Sequence, residues 1–431
     1  MKRYYLYIFL VTVACILSCT TFVNEPESYY YEQLFDDTKV HEYRIYFYEQ
    51  HWQDTLVRYY GVSDTDLYLP AKLIYGDNEA VLDSVGVRFK GFSSYYGADF
   101  PKKPFKVDFN VFKDHTFFGV DKLNFSNCYK DPSFIREKIA YDIIGKYMPA
   151  PRATFANLYI KWIDDTSSVD SLIGLYTMIE QVEGRFLSRH FNNNRGNLYK
   201  AEMANMMYWG EDVTYYKDRL YALKTNEWQD DWSGLMTMLE KLNKTPDSLF
   251  GEAIGQYLNI DRCINYLALN MALSNFDSYA CSGRNFYLYD DPTAGVFSII
   301  PWDMNMAFGT YTKPHWDTPV MQDIDSIYNM GRKILFKRIM ENETFKQDYL
   351  NRIEEMVQGP CSYGSVSLMA DRFKSLLAPH VEADRHKLYT YQEFLDNIEK
   401  DIMDSTQVIP GIKSFSQKRN ENIIQQLSTQ Y

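Results

Sequence analysis

The chain has 431 residues, 46% of them hydrophobic and 24% charged, enough to bury one large core or two. A net charge of -12 with no long basic run argues against a nucleic-acid footprint, so any polyanionic ligand must be met by a local cation cluster or a metal ion. The seven histidines lack ligand spacing, and no nucleophile elbow, P-loop or dinucleotide fingerprint occurs; a zinc hydrolase, a serine hydrolase and a Walker-type NTPase are therefore unsupported.

In chain order, MKRYYLYIFLVTVACILSC comes first. Lys2 and Arg3 precede an apolar stretch, Tyr4 to Leu17, too short to span a membrane comfortably; it reads as a secretory signal. Leu17-Ser18-Cys19 resembles the end of a bacterial lipoprotein signal, which would make Cys19 the lipidated first residue of the mature chain. A plain signal peptide with an incidental cysteine is the alternative. Residues 20–41 are polar and acidic and suit a tether. Cys128, Cys263, Cys281 and Cys361 match no zinc ribbon and are compatible with buried thiols or with one or two disulfides.

From Glu42 to about Ile179 the pattern is strand-like. EYRIYFYEQHW, VGVRFKGF and PFKVDFN alternate, and Gly76-Asp77-Asn78 signals a hairpin between strands near Ala71 and Val81. One helix interrupts, introduced by Asp131-Pro132-Ser133 and carrying Ile135, Ile139, Ile143 and Ile144 at helical spacing. ATFANLYIKWI and SLIGLYTMIEQVE read as two strands around a polar turn. After Asp231 the pattern becomes helical. WSGLMTMLEKLNK and LNIDRCINYLALNMALSNF are amphipathic, NFYLYDD and VFSIIPWD form a hairpin, and residues 324–427 read as three or four helices. The layout is α+β.

Two groups of residues carry chemistry. Asp303 directly follows an apolar strand, where an unpartnered buried carboxylate would be costly. Asn285 opens the preceding strand and Asp277 lies eight residues earlier. Oxygen side chains at one end of a hairpin suit a hard cation such as magnesium, with Asp277 close by to accept a hydroxyl proton. Turn capping is the alternative for all three, because Asp and Asn favour local hydrogen bonds at turns. The second group is RFKGFSSYYGADFPKKPFKVDF, Arg88 to Phe109. Its Gly-Ser loop can present amides and hydroxyls to phosphates, and Lys102, Lys103 and Lys106 follow it. An ordinary hairpin loop with solvated lysines is the alternative.

Taken together and in order, Arg88 to Asp108, REKIAYDII, GLYTMIEQVEGRFL, GNLYK, NFDSY…NFYLYDD and IPWDMNMAFG resemble the CotH family of spore-coat-type atypical protein kinases over roughly Glu42 to Gly309. The resemblance implies a two-lobed kinase-like fold, with a strand-rich N-lobe over residues 42–180 and a helical C-lobe over 181–431. It implies ATP with Mg2+ or Mn2+ as cofactors and a protein hydroxyl as acceptor. By this resemblance Asp277 is the catalytic aspartate, and Asn285 and Asp303 are metal ligands. Gly91, Ser93 and Ser94 approach the phosphates. Lys106, with Lys103 second, is the phosphate-contacting lysine, and Glu137 is its ion-pair partner. Residues from Glu180 to Val182 meet the adenine. Two departures stand out: bulky Phe92 follows the loop glycine, and Phe276 precedes Asp277 with a longer interval to Asn285 than in ordinary kinases. A non-catalytic surface module that binds a protein or glycan on the same fold is the rival reading.

Overall fold

Alternating apolar residues build the first half of the chain. The computed structural model describes residues 27–62, 66–77, 79–166, 170–217, 219–312, 319–327, 330–405 and 407–430; the signal segment and Cys19 lie outside them. In Val40–Phe47 (β1) every second residue is buried, with Tyr43, Ile45 and Phe47 inside. Leu69–Tyr75 (β2) and Ala80–Phe89 (β3) form the expected hairpin, entered through Gly76 at φ 59°. Phe105–Asp108 (β4), Lys122–Ser126 (β5), Ala153–Trp162 (β6) and Leu172–Glu180 (β7) complete a closed barrel of order β1-β2-β3-β4-β5-β7-β6. Only β1 with β6 is parallel among its pairs. Val87, Phe89, Phe105, Val107, Leu123 and Phe125 fill its interior. The two-residue period therefore sends Arg88, Lys106 and Asn124, aligned in one rung, to the outer face.

The second half holds a four-stranded sheet of order β11-β10-β8-β9, made from Leu198–Ala201 (β8), Tyr221–Leu223 (β9), Phe286–Asp291 (β10) and Val296–Pro301 (β11). The β10–β11 hairpin agrees with the short strands expected on either side of the turn at Pro292 to Gly295. β8 and β9 are too short to show a period and were not anticipated. Helices cover this sheet. The helix Ile260–Ala272 is capped by Asn259, whose side chain accepts from the Arg262 amide at 3.0 Å.

Three expectations change. A helix at Trp52–Tyr60 adds to the one expected among the barrel strands; its Trp52 and Leu56 pack on the barrel core. Among the described residues the tail contains five α-helices and a small hairpin, Ile402–Asp404 with Gln407–Ile409, where the sequence pattern predicts three or four helices. The expected tether is folded from Glu27 onward: Glu27–Leu34 is a helix, and Tyr31, Leu34 and Phe35 are buried. Cys128, Cys263, Cys281 and Cys361 are buried cysteines. Among the described residues no helix is long and apolar enough to cross a membrane.

A buried ion pair joins distant parts of the chain. Lys102 Nζ lies 2.6 Å from Asp384 Oδ2 and donates at 2.6 Å to the Leu175 carbonyl, while Asp384 accepts from the Leu175 amide at 2.9 Å. Together these contacts satisfy both charges, which a buried pair requires. Gly174, at φ 140°, passes so close that a Cβ there would lie 2.2 Å from Lys102 Nζ.

Candidate functional site

The site assembles where the outer face of β3–β5 meets the open end of the β10–β11 hairpin. Lys90 continues the outward set of β3, its amide bonded to the Pro104 carbonyl at 3.1 Å. Its ammonium lies 5.6 Å from the Trp302 ring centroid, across the gap toward β11. Lys90, Gly91, Ser94, Glu137, Thr177 and Asp303 line one cleft. Burial pushes the Lys90 ammonium down, and the carboxylates of Asp303 and Glu137 oppose that shift. Burial, and then the Asp303 carboxylate, push Glu137 up to about 8, with Lys90 pulling it down.

Asp303 sits in the left-handed region, φ 54° and ψ 69°, which Asp and Asn tolerate better than most residues. Its amide donates to the Tyr141 hydroxyl at 2.9 Å. Tyr141 and Glu137 stand one helical turn apart on Arg136–Ile144, so one helix positions both Glu137 and Asp303. That helix is itself pinned. Asp131 Oδ2 accepts from the Arg136 amide at 2.9 Å, and the buried Arg136 guanidinium donates to the carbonyls of Ala307 and Phe308 at 3.2 and 3.3 Å.

Asn285, also left-handed at φ 61°, donates from Nδ2 to the Asp277 carbonyl at 2.7 Å. Its own carbonyl accepts from the amide of Trp302, the residue before Asp303, at 3.1 Å. These bonds tie the Asp277 loop to the hairpin end. Asp303 is raised by burial first, held down by Lys90, raised again by Asp277 and held down by Lys200. The Asp277 carboxylate is therefore near enough for its charge to reach Asp303. Among the described residues no group of three His, Cys, Asp or Glu forms a ready-made metal cage. Two carboxylates and an amide oxygen nevertheless fit a hard cation that keeps waters and takes further oxygens from phosphates.

Other expected residues fall elsewhere. Lys106 shares the outer face but stands beside Arg88, and its electrostatic partner is Glu183, not Glu137; burial pushes it down to about 7. The lysine facing Asp303 and Glu137 is Lys90, before the Gly-Ser loop, whereas the sequence pattern points to the lysines that follow the loop. Lys103 is buried and donates to the carbonyls of Tyr95 and Ala98 at 2.8 and 2.5 Å, so it braces the glycine loop and does not face a ligand. Gly91, at φ 71°, has no room for a side chain: a Cβ would lie 2.4 Å from Ser94 Oγ. Ser94 lines the cleft, whereas Ser93 is exposed. The Glu180 carboxylate turns to Tyr31 and to Arg189 at 2.7 Å, and Val182 is part of the hydrophobic core. Neither side chain is placed to meet a base. Gln181 between them bridges outward, accepting from Asn124 at 3.0 Å and reaching the Tyr287 hydroxyl at 3.5 Å. Phe92 is 74% exposed and packs on Tyr96, outside the cleft lining.

The comparisons agree with this arrangement of motifs. Inner spore coat protein H of Bacillus subtilis (strain 168) is 24% identical over 304 residues, which cover 69% of this chain and 78% of that protein. A family model described as CotH kinase protein matches residues 87–423, from within β3 into the last helix, so the helical tail is included. The chain belongs to the CotH family.

Proposed function

We propose that the protein is an exported, lipid-anchored kinase that transfers the γ-phosphoryl group of ATP to a hydroxyl of a protein acceptor. The observation that carries this reading is the convergence of Lys90, Glu137 and Asp303 on one cleft, with Asp277 in the same electrostatic field. In this reading the barrel and the helical half act as the two lobes of a kinase-like fold. Lys90 binds a phosphate as a point charge and Glu137 orients it. Asp303, with Asn285, would hold magnesium or manganese, which when bound neutralises phosphate charge. Asp277 receives the acceptor's hydroxyl proton as the new P–O bond forms and the bond to the β-phosphate breaks, releasing ADP. Gly91 and Ser94 cover the phosphates, and Gln181 marks the hinge where the base binds. Lipidation at Cys19 would attach the chain to a membrane in the cell envelope.

The test is transfer of label from γ-labelled ATP by protein lacking the first 19 residues. Asp303→Ala should abolish metal-dependent nucleotide binding. Asp277→Ala should retain binding and lose transfer by about 10²- to 10⁴-fold, the usual contribution of a positioned acid–base group. Absence of nucleotide binding by the parent protein with either metal would falsify the reading.

A non-catalytic surface module is the second reading. Phe92 and Tyr96, 74% and 66% exposed with rings 5.1 Å apart, favour it, because such a pair can stack on a glycan or a peptide. A thermal-shift comparison of nucleotides with oligosaccharides separates the two.

A further inference from the structure

We propose that the segment Tyr31 to Asp37 is a clasp that positions the hinge and the Glu137 helix together. It precedes the residues matched by the family model. Tyr31 is buried, and its hydroxyl donates to Glu180, the last residue of β7 before Gln181. Glu180 also accepts from Arg189 at 2.7 Å and from the Arg152 amide at 3.0 Å. The guanidinium groups of Arg152 and Arg185 stand 4.9 and 5.1 Å from the Tyr31 ring centroid. Arg152 closes the ring of contacts by pairing with Glu32 at 2.7 Å. Six residues beyond Tyr31, Asp37 reaches the other element. Its Oδ2 lies 2.8 Å from Lys138 Nζ, on the residue next to Glu137, and its Oδ1 pairs with Arg372. Leu34 and Phe35, between these anchors, are buried in the barrel's apolar cluster and fix the span.

The geometry has a direct consequence. One short segment holds the chain just before Gln181 and the helix that places Glu137 opposite Lys90. Sub-ångström placement of charged groups matters to transfer chemistry, so loss of either anchor should loosen one wall of the cleft. Tyr31 and Asp37 touch no candidate reacting group; they are positioning residues. The kinetic part of the proposal rests on the kinase reading, whereas the structural part does not.

The experiment uses the full chain with Tyr31→Phe, Asp37→Asn and Asp37→Glu. Amide hydrogen exchange should accelerate at 181–191 in Tyr31→Phe and at 136–144 in Asp37→Asn, with the rest of the protein unchanged. The KM for ATP should rise about tenfold in both, the factor one charge-assisted hydrogen bond carries. Asp37→Glu should restore both readouts. Unchanged exchange in the two segments, unchanged kinetics in an active parent, or faster exchange everywhere with a collapsed melting temperature would each overturn the clasp. If the parent binds no nucleotide, the kinase reading fails and exchange alone decides the clasp.

Discussion

Lys90 and Lys106 leave the same face of the same sheet, yet only one of them meets Asp303. The amide of Lys90 pairs with Pro104, and Lys106 pairs with Arg88, so the two lysines lie two rungs apart with Phe89 and Phe105 between them. A rung displaces a side chain by several ångström, and Coulomb terms fall off with distance. Lys90→Met should lower transfer at least about 100-fold by removing a charge aimed at the phosphates, whereas Lys106→Met should change it less than about threefold; initial rates with ATP decide this. Glu137 supplies a stability test. Its folded pKa, about 8, lies above its ordinary 4.5, so between these values the folded state keeps a proton that the unfolded chain has released. Stability from this group is complete below about 4.5 and is lost as pH rises through about 8. Urea unfolding without nucleotide should therefore weaken across that window, and Glu137→Gln should flatten the decline.

At the scale of elements, the helix Arg136–Ile144 and strand β7 organise the cleft. The helix is legible because Ile139 and Ile143 repeat at its spacing and Asp131 precedes it, but its role depends on Arg136 and Tyr141 reaching residues more than 150 positions away. β7 reads as a nearly continuous apolar run, and the left-handed Gly174 inside it looks like a weak point by sequence. The buried pair of Lys102 and Asp384 explains it. Gly174→Ala should cost roughly 3–5 kcal/mol by displacing one partner of a buried ion pair and straining the backbone, read as a lower urea midpoint with unchanged m-value.

For the whole molecule, the expected signal and Cys19 frame a prediction about location. Cys19→Ser should move the expressed protein from the membrane fraction to the soluble one; a protein that stays soluble in both forms argues against lipidation. The acidic net charge is compatible with nucleotide binding in the proposed reading, because local lysines and a divalent cation meet the phosphates, not the surface as a whole.

Sequence alone determined the hairpin bearing Asn285 and Asp303, the family, and the strands between Glu42 and about Ile179 other than Lys122–Ser126. These are local properties: alternation sets which face is apolar, and Asp or Asn at a strand end marks a left-handed turn. Tertiary structure decided that Lys90 and not Lys106 faces Glu137, that Glu180 turns to Tyr31, and that Tyr31, Leu34 and Phe35 of the supposed tether belong to the core. Periodicity assigns a side chain to a face, but its charge partner comes from another element brought near by folding, and desolvation then sets its protonation.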